Sequence, residues 1–486
     1  MKLIELLDKI PYRLTGNANF DYGAAEVKRV TAQADRADEH TLFVCARSVV
    51  RDGHLTAAAA YAKGCRLFLA ERDLHLPDDA AVLSVKECTP LLGPLAAACL
   101  GHPARQMTVL GITGTRGKSS VAYLTAALLR GAGHRTGLWT TDGLYMQGQL
   151  RPMGDLLPDA AQLQELLLEM VQAGNEFAVL ELPSYMLADH VALCIPFTAV
   201  LLTNLLPERR RPFVHKDPAA YTAAKASLFA SDAAFYVLPA NFVGFASMGK
   251  GRILTFGEGG DYSAAVCGEQ LRDAEIGSRL LLREKGGDAH ALSLPTPGKW
   301  AVENALAATA LARIAGVPMP KILRILSRYT PPGRLECVPL QQGCRVYIDS
   351  AYSAEDLEAV LQTLRGCTVG RLAVVIGSVG GRAKERRAPL GEVATRCADR
   401  VYFTADDPDC ENPSEIAREM AAGAAYPDRY RIVADRREAI LLAVRELRPG
   451  DVLLLSGKGD EESQLIRGRR EPFSERAIVR EAMGYL

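Results

Sequence analysis

The sequence predicts a three-domain α/β protein whose central domain carries a phosphate-binding loop (P-loop) and a parallel sheet, and whose C-terminal domain is Rossmann-like. The first observation is the length of 486 residues, which exceeds what one hydrophobic core usually supports. The second is a repeated order of apolar strand, loop and helix that starts near Met107. The third is another such order that starts after Pro331-Pro332-Gly333. Alternating strands and helices of this kind form doubly wound parallel sheets.

Residues 1–106 are expected to form a small N-terminal α/β domain. Short apolar runs at Thr41–Cys45, Arg66–Ala70 and Ala81–Val85 alternate with alanine-rich stretches such as Leu55–Lys63. The first residues, Met1–Leu14, place charged side chains among apolar ones. That pattern is typical of an amphipathic helix and differs from the apolar core of a secretory signal.

Residues 107–332 are expected to form the central P-loop ATPase domain, and residues 333–486 the C-terminal domain. Continuous apolar runs predict strands that are buried on both faces, as in parallel sheets. In the central domain these runs are Met107–Ile112, Phe177–Leu180 and Thr198–Leu202. In the C-terminal domain they are Arg345–Ile348, Leu372–Ile376, Arg400–Phe403 and Val452–Leu455.

The composition excludes several classes of function. Lys plus Arg and Asp plus Glu both number 57, so the formal net charge is zero, and we expect no nucleic-acid partner. The most apolar stretch, Leu91–Leu100, is short and contains Pro94, so we expect no membrane span. The eleven cysteines include no CxxC pair, which favours free thiols in a reducing compartment. We therefore expect a cytoplasmic protein, and a monomer.

The segment Gly111–Ser120 (GITGTRGKSS) predicts a phosphate-cradling loop between a strand and a helix. Its glycines let the backbone N–H groups point inward, and the following helix adds its positive dipole end. Lys118 would reach the terminal phosphates of ATP, and the Ser119 hydroxyl would ligate Mg²⁺. The strict Walker pattern needs glycine where Ile112 stands, so a glycine-rich turn with an incidental Lys-Ser pair is the alternative. The candidate nucleotide-binding residues of this loop are Gly114, Thr115, Gly117, Lys118, Ser119 and Ser120.

Glu181 follows the predicted strand Phe177–Leu180. A carboxylate at the end of a strand next to a phosphate loop is well placed to bind Mg²⁺. The alternative is a solvated surface carboxylate, which is what most such residues are. Its position directly after a buried strand favours the metal ligand.

The phosphate loop is followed by further motifs in a fixed order. They are Ala32–Arg36 with Asp52-Gly53-His54, Glu181–Leu187, Thr203-Asn204-Leu205, Tyr221–Phe229, the segment of Asn304, Pro332-Gly333-Arg334, Asp349–Ser353, Gly377–Arg387, Thr404–Pro408 and Gly457–Glu461. On these motifs, which extend over nearly the whole chain, the sequence resembles the Mur ligases, the ATP-dependent amide-forming enzymes of peptidoglycan assembly. Among them it is similar to the UDP-N-acetylmuramoyl-tripeptide synthetase, or MurE-like, branch.

The resemblance implies a reaction in two steps. A carboxylate of a UDP-N-acetylmuramoyl-peptide-like substrate attacks the γ-phosphate of ATP and becomes an acyl phosphate. The amino group of an amino acid then displaces phosphate and forms an amide. Because two anions must meet, Lys118, Mg²⁺ and the loop dipoles would neutralise their charge.

The resemblance also implies roles for particular residues. The catalytic candidates are Lys118, Lys225, Arg334 and His215. Outside the loop, Asn304 would contact adenine, and Arg334 and Asp349 would help to hold ATP. Metal ligands would be Ser119, Glu181 and a carbamylated Lys225, and the alternative for Lys225 is an unmodified lysine on the surface of a helix. The substrate candidates are Asp35 and Arg36 at the UDP end, and Asp407, Asp409, Asp460 and Glu461 in the C-terminal domain.

Several family motifs are altered in this chain. After Asn204 the family has "DHLD", whose His binds a second metal ion, but here the stretch reads Leu206–Pro212 (LPERRRP). Because a guanidinium cannot ligate Mg²⁺, either Arg209 or a neighbour replaces part of the metal's charge, or the second site is weakened. His215 either compensates or is a solvated loop histidine.

Substrate-binding motifs differ as well. The serine of "DSR" is lost in Ala34-Asp35-Arg36, the "TTP" motif reads Leu156-Leu157-Pro158, and Tyr352 stands where the family has His. The lost hydroxyl groups would weaken binding of a polar sugar. Besides ligation on the usual substrate, two hypotheses therefore stay open. One is a MurE paralogue that uses a different carboxylate, and the other is an ATP-binding partner without catalysis.

One further motif bears on which amino acid the enzyme would add to its substrate. The family's "DNPR", whose Arg binds the distal carboxylate of diaminopimelate, reads Asp406-Asp407-Pro408-Asp409 here. An aspartate in place of arginine reverses the charge and should repel a carboxylate. The sequence thus indicates an amino acid with a cationic side chain, such as lysine or another diamine. The alternative is that Asp409 caps a turn.

Overall fold

The computed structural model describes the chain except residues 16, 18, 49–50, 153–156, 208–214, 243, 259–264, 274–276, 341–342 and 485–486. Leu156 of the altered sugar motif and Arg209 of the altered metal motif therefore lie outside the described residues. The chain forms two compact units. The first consists mainly of Met1–Gly257 and Leu306–Ile322, and the second mainly of Cys267–Ala305 and Leu323–Leu486.

Helices are found throughout the chain, and many begin at a polar side chain that caps the first turn. Asp217 accepts a hydrogen bond from the N–H of Ala220, and Ser353 does so from Asp356, which satisfies donors that lack a partner within the helix. In the described residues the α-helices are α1 (Leu3–Leu6), α2 (Gly53–Ala62), α3 (Thr89–Cys99), α4 (Lys118–Ala132), α5 (Ala160–Gln172), α6 (Ser184–Ala188), α7 (Pro218–Phe229), α8 (Lys299–Ile314), α9 (Met319–Leu326), α10 (Ala354–Gly366), α11 (Arg387–Cys397), α12 (Pro413–Ala421), α13 (Arg436–Arg445) and α14 (Glu475–Ala482).

The strands alternate with these helices over most of the chain. They are β1 (Arg13–Leu14), β2 (Arg29–Thr31), β3 (Thr41–Val44), β4 (Leu67–Ala70), β5 (Ala81–Ser84), β6 (Thr108–Thr113), β7 (Thr136–Thr140), β8 (Gly143–Met146), β9 (Gln149–Arg151), β10 (Phe177–Glu181), β11 (Phe197–Leu202), β12 (Phe235–Pro239), β13 (Arg252–Glu258), β14 (Val266–Asp273), β15 (Ser278–Glu284), β16 (Ala289–Leu294), β17 (Glu336–Pro339), β18 (Arg345–Asp349), β19 (Leu372–Ser378), β20 (Arg400–Ala405), β21 (Tyr430–Ile432), β22 (Val452–Ser456), β23 (Ser463–Ile466) and β24 (Arg469–Pro472).

The first unit holds two sheets. Near the N-terminus the strand order is β1-β5-β4-β3-β2, with β2 to β5 parallel and β1 antiparallel to β5. The second sheet of the unit runs β13-β12-β11-β6-β10-β7-β8-β9, parallel from β13 to β7 and closed by antiparallel β8 and β9. Strands β6, β10 and β11 are adjacent and parallel, so their carboxyl ends meet at one edge, where ligands of α/β folds bind.

The second unit contains an antiparallel segment and a doubly wound sheet. Strands β15 and β16 pair antiparallel, and β14 lies beside β15. The six-stranded sheet runs β17-β18-β22-β19-β20-β21, and only β17 is antiparallel to its neighbour. Its central strands β18, β19 and β22 are buried along their whole length. Continuous burial explains why these strands are apolar without alternation.

The structure confirms the α/β fold class and the predicted parallel strands. The expected helix over Met1–Leu14 is wrong, because helix α1 covers only Leu3–Leu6. The chain turns at Lys9, whose φ is +73°, and Pro11 then disfavours helical backbone at Ile10. The domain boundaries at 106/107 and 332/333 stay predictions. Among the described residues, no helix combines the length and the apolar character that crossing a bilayer requires.

Candidate functional site

The phosphate loop connects the end of β6 to the start of α4 by a sharp turn. Gly114 and Gly117 have φ angles of +148° and +81°, which favour glycine because a Cβ is disfavoured there. A Cβ at Gly114 would also collide with the side chain of Thr203. No side chain caps α4, so the N–H groups of its first turn, which includes Lys118, Ser119 and Ser120, are left for a ligand.

Two carbonyl groups of the loop accept hydrogen bonds from protein side chains. Thr203 Oγ1 and Asn204 Nδ2 donate to the Arg116 carbonyl at 2.6 and 3.1 Å, and Asn204 Oδ1 accepts from the Arg116 N–H at 3.0 Å. The Lys118 ammonium donates to the Thr115 carbonyl at 3.2 Å. Since the carbonyl oxygens have protein donors, the loop presents N–H groups rather than oxygens to an anion. The sequence analysis gave Thr203 and Asn204 no such role.

Ser119 and Glu181, the first two predicted metal ligands, lie together. The Ser119 hydroxyl donates to Glu181 Oε2 at 2.8 Å, and the Thr141 N–H donates to the same oxygen at 3.2 Å. Glu181 is 2% exposed, so the solvated-carboxylate alternative is wrong. Its Oε1 accepts no hydrogen bond within the described residues. A hydroxyl and a carboxylate with a free oxygen fit the preference of Mg²⁺ for oxygen ligands.

Lys225 lies on α7 and is 1% exposed, so the surface-lysine alternative is also wrong. Its Nζ donates to the Gly114 carbonyl at 2.7 Å and lies 4.5 Å from the centre of the Tyr221 ring. The Tyr221 hydroxyl is 2.8 Å from Thr115 Oγ1. Helix α7 therefore contacts the phosphate loop through two side chains one turn apart. Carbamylation of Lys225 stays a prediction.

His215 is half-buried next to these residues. Its Nε2 lies 2.9 Å from Ser184 Oγ, and its ring contacts the Tyr221 ring edge-on with centroids 5.5 Å apart. The histidine is thus held between α6 and α7 rather than fully solvated.

The two candidate residues for the UDP end, Asp35 and Arg36, differ in burial and in their contacts. Asp35 is exposed on a short 3-10 helix, Ala34–Arg36. Arg36 is partly buried and forms an ion pair of 2.6 Å with Glu165 on α5. Beside it, Gln33 Nε2 donates to Asp159 Oδ2 at 2.9 Å. Arg36 thus has an internal carboxylate partner, which the sequence analysis did not foresee.

In the second unit, the ATP candidates lie on α8 and around the end of β18. Asn304 is half-buried on α8. Asp349 is 8% exposed and accepts hydrogen bonds from the N–H groups of Leu335 at 2.7 Å and Ala351 at 2.9 Å. Burial raises the pKa of Asp349 to about 6, against the opposing effect of the Arg334 charge.

The Pro332-Gly333-Arg334 segment approaches the loop after β22. Gly333 has φ +60°, and a Cβ there would collide with the backbone of Gly459 and Asp460. The Arg334 guanidinium donates to the Gly333 carbonyl at 3.1 Å. The close approach brings Arg334 and Asp460, which are distant in sequence, to the same side of the unit.

Two of the candidate residues for the amino acid, Asp407 and Glu461, contact a lysine that the sequence analysis did not single out. Lys458 Nζ contacts Asp407 Oδ1 at 2.8 Å, Glu461 Oε2 at 2.9 Å and Asp406 Oδ1 at 3.3 Å. We call Asp406, Asp407 and Glu461 the carboxylate cluster. One oxygen from each lies within 4.8 Å of the others, so among the described residues these three carboxylates form a group close enough to hold a metal ion.

Asp409 faces a hairpin instead. Its Oδ1 accepts a hydrogen bond from the Gly468 N–H at 2.7 Å, at the turn between β23 and β24. Its backbone has φ +50°, a conformation that Asp and Asn adopt more readily than most residues. Asp409 therefore caps the turn, as the alternative in the sequence analysis states. Its role in selecting the amino acid stays a prediction.

Comparisons with known proteins match both units. Residues 112–312 match the family model described as "Mur ligase middle domain", and residues 333–459 match "Mur ligase, glutamate ligase domain". The chain is 30% identical over 488 residues to the UDP-N-acetylmuramoyl-L-alanyl-D-glutamate–2,6-diaminopimelate ligase of Caldanaerobacter subterraneus subsp. tengcongensis, covering 99% of each chain. It is 36% identical over 474 residues to the UDP-N-acetylmuramyl-tripeptide synthetase of Deinococcus radiodurans, covering 94% of each.

The fold is also similar to a solved structure. A UDP-N-acetylmuramoyl-L-alanyl-D-glutamate–2,6-diaminopimelate ligase superposes with a TM-score of 0.70 at 23% identity, covering 100% of this chain and 99% of the other. At 23% sequence identity, this similarity shows a shared fold and nothing further. It agrees with the α/β class predicted from the sequence.

Proposed function

Because the chain belongs to the Mur ligase family of ATP-dependent, ADP-forming amide ligases, we propose that it joins an amino acid to a UDP-N-acetylmuramoyl-peptide in the synthesis of peptidoglycan precursors. The bond would form through an acyl phosphate of the peptide carboxylate. The observation that supports this most is the phosphate loop, whose carbonyl groups at Thr115 and Arg116 have side-chain donors while no side chain caps the first turn of α4.

In this proposal the loop binds the phosphates of ATP. Positive partial charges at the start of α4 and the Lys118 ammonium oppose the charge that develops on the transferred phosphoryl group. Ser119 and Glu181 would hold Mg²⁺, which when bound neutralises phosphate charge. In the second unit Asn304, Arg334 and Asp349 would contact the nucleotide. His215 and Lys225 border the loop and are candidates for orienting the reacting groups.

We further propose that the incoming amino acid has a cationic side chain. The carboxylate cluster places three carboxylates around the one ammonium group of Lys458. Arg386 and Arg436 also interact with the charge of Asp406, so the negative charge available to a ligand lies mainly at Asp407 and Glu461. Such a site attracts an ammonium group and repels a second carboxylate. Asp409 adds further negative charge, although its carboxylate is hydrogen-bonded to the hairpin.

The proposal is tested by phosphate release from ATP with UDP-N-acetylmuramoyl-L-alanyl-D-glutamate as acceptor. Each of the twenty amino acids, diaminopimelate and L-ornithine is added in turn, and the product is identified by mass spectrometry. We expect phosphate release that requires both the acceptor and an amino acid. ATP binding without phosphate release for any combination would contradict a ligase and favour the non-catalytic hypothesis.

A second candidate is the same chemistry on a different carboxylate. It is supported by Arg36, whose charge is already paired with Glu165, and by the aliphatic residues that replace the sugar motif. The same assay with nucleotide-free peptides and other carboxylates separates the two candidates. Turnover with these, and none with the nucleotide-linked acceptor, would favour the second.

We propose a cytoplasmic location and a monomer. None of the eleven cysteines forms a disulfide, which supports a reducing compartment. Gel filtration with light scattering tests the monomer.

A further inference from the structure

Lys458 joins two strands that do not pair with each other. It follows β22, whereas Asp406 and Asp407 follow β20, and β19 lies between these strands and pairs with both. Two strand spacings separate β20 from β22, which is about 10 Å. The Lys458 side chain therefore crosses the carboxyl end of β19 to reach the two aspartates.

The ammonium of Lys458 has an acceptor for each of its donors. It contacts one oxygen from each member of the carboxylate cluster at 2.8 to 3.3 Å, and a lysine ammonium has three N–H donors. The side chain is fully buried, while Glu461 is 51% exposed. Burial opposes the charged form, but the carboxylates of Asp406, Glu461 and Asp407 outweigh it and raise the pKa of Lys458.

The cluster is therefore already occupied by a cation that belongs to the protein. A metal ion at the same oxygens would lie against the Lys458 ammonium, and like charges at this distance repel strongly. The contact thus disfavours a metal ion in the cluster. It leaves the outer carboxylate oxygens as the positions where a further cationic group can bind.

Two of these oxygens are free in the described part of the chain. Asp407 uses Oδ1 both for Lys458 and for the Leu465 N–H at 3.0 Å, and its Oδ2 accepts no hydrogen bond there. Glu461 uses Oε2 for Lys458, and its Oε1 accepts none there. Because Lys458 fixes one oxygen of each carboxylate, it also fixes the direction of the other.

We propose that Lys458 is a positioning residue of the amino-acid site. Lys458 holds Asp407 by Oδ1 and Glu461 by Oε2. It thereby orients the other oxygens, Asp407 Oδ2 and Glu461 Oε1, toward the cationic side chain of the incoming amino acid. This role rests on the proposed function, since it assigns the cluster to the amino acid of the ligation. Lys458 itself does not contact the amino acid.

The test compares Lys458→Met, which keeps the length of the side chain and removes its charge, with two further variants. Lys458→Arg keeps the charge but changes the geometry, and the double variant Lys458→Met/Asp406→Asn restores the net charge of the cluster. The control is Arg371→Met, because Arg371 forms an ion pair of 2.7 Å with Asp451 at the amino ends of β19 and β22, the opposite edge of the same sheet. KM for ATP and for the amino acid is measured separately for each.

We expect Lys458→Met to raise KM for the amino acid about tenfold or more, equivalent to the loss of one well-oriented ionic contact, with KM for ATP changed less than twofold. Lys458→Arg should recover part of the loss, whereas the double variant restores the net charge without a donor at position 458 and should keep the raised KM. The control should lower thermal stability and leave both KM values unchanged. If Lys458→Met does not fold, KM for the amino acid and KM for ATP are compared for the double variant instead. A variant with wild-type KM for the amino acid, or an equal rise in both KM values, would overturn the role of Lys458.

Calorimetric titration of L-lysine and L-ornithine onto the wild-type protein separates this role from the ligase activity. Binding without turnover contradicts the proposed function, and weaker binding to Lys458→Met then still supports the positioning role. Equal binding to both proteins overturns it. If the wild type binds neither L-lysine nor L-ornithine in this titration, the proposed cationic amino acid and the role of Lys458 both fail.

Discussion

The Nζ of Lys225 donates a hydrogen bond of 2.7 Å to the carbonyl of Gly114, the first residue after β6. The lysine belongs to α7, which is 111 residues further along the chain. This hydrogen bond fixes the orientation of the peptide group at the start of the loop. The ability of the loop to bind phosphate therefore depends on a side chain from another helix, in addition to its own glycines.

Replacing Lys225 by Met should loosen the phosphate loop. The variant keeps the aliphatic part of the side chain but leaves a buried carbonyl without its donor, which costs about 1–3 kcal/mol. We expect the dissociation constant of ATP to rise about tenfold, measured by calorimetric titration. The control is Lys321→Met, because Lys321 Nζ donates to the Ala132 carbonyl at the other end of α4 at 3.1 Å. Unchanged ATP affinity in Lys225→Met would contradict the contribution of this contact.

Replacing Glu181 by Gln should weaken the response to Mg²⁺. Glutamine can still accept the hydrogen bonds from Ser119 and Thr141, but it lacks the charge that binds a divalent cation. We expect phosphate release to fall about 100-fold and the Mg²⁺ concentration at half-maximal rate to rise. Glu176→Gln is the control, since Glu176 precedes the same strand at its other end and pairs on the surface with Arg135 at 3.4 Å. Equal Mg²⁺ dependence in wild type and Glu181→Gln would rule out the metal role.

Local patterns in the sequence predicted the parallel strands and the phosphate loop well. Val452–Leu455 and Phe177–Leu180 are continuously apolar because both faces of their sheets are covered, and each became a buried strand. The loop is a run of consecutive residues, so its glycines and Lys118 are visible without knowledge of the fold. Predictions of this kind depend only on near neighbours in the chain.

Contacts between distant segments could not be predicted in the same way. Lys458 contacts Asp406, from which it is separated by 52 positions in the sequence. The spacing of these two residues does not indicate that β20 and β22 end at the same edge of the sheet. The burial of Lys225 depends likewise on the contact with Gly114. The antiparallel strands β15 and β16 were missed because they lack a long continuous apolar run, and buried and exposed residues, such as Leu280 and Arg279, alternate along β15.

The stability of the second unit should depend on pH through Asp349. Its pKa is raised from 3.8 to about 6 by burial, with Arg334 acting in the opposite direction and Asp356 adding to the rise. The folded state therefore keeps a proton that the unfolded state loses, so this contribution to stability is present below pH 3.8 and lost as the pH rises to about 6. Between pH 4.5 and 7.5 the free energy of unfolding of the wild type should fall by about 2 kcal/mol relative to Asp349→Asn, measured by urea denaturation.

The control for this measurement is Asp451→Asn. The Asp451 carboxylate is buried, which by itself raises its pKa, but hydrogen bonds from Arg371 and from backbone N–H groups outweigh burial and lower the pKa. Its contribution is present above its unfolded pKa and is lost only in more acidic solution. The difference between wild type and Asp451→Asn should therefore stay constant from pH 4.5 to 7.5. A constant difference for Asp349→Asn as well would show that the burial of Asp349 does not shift its pKa.

The amino-acid preference tests which acidic residues select the substrate. We expect kcat/KM for L-lysine or L-ornithine to exceed that for diaminopimelate, because the negative charge of the carboxylate cluster at Asp407 and Glu461 attracts an ammonium group and repels a second carboxylate. Glu461→Gln removes one of these charges from an exposed position and should lower the preference about tenfold. Asp409→Asn removes a charge nearby but can still accept the hydrogen bond from the Gly468 N–H, so it should change the preference much less. A clear preference of the wild type for diaminopimelate would contradict the cationic site, and a larger effect of Asp409→Asn than of Glu461→Gln would move the selection to Asp409.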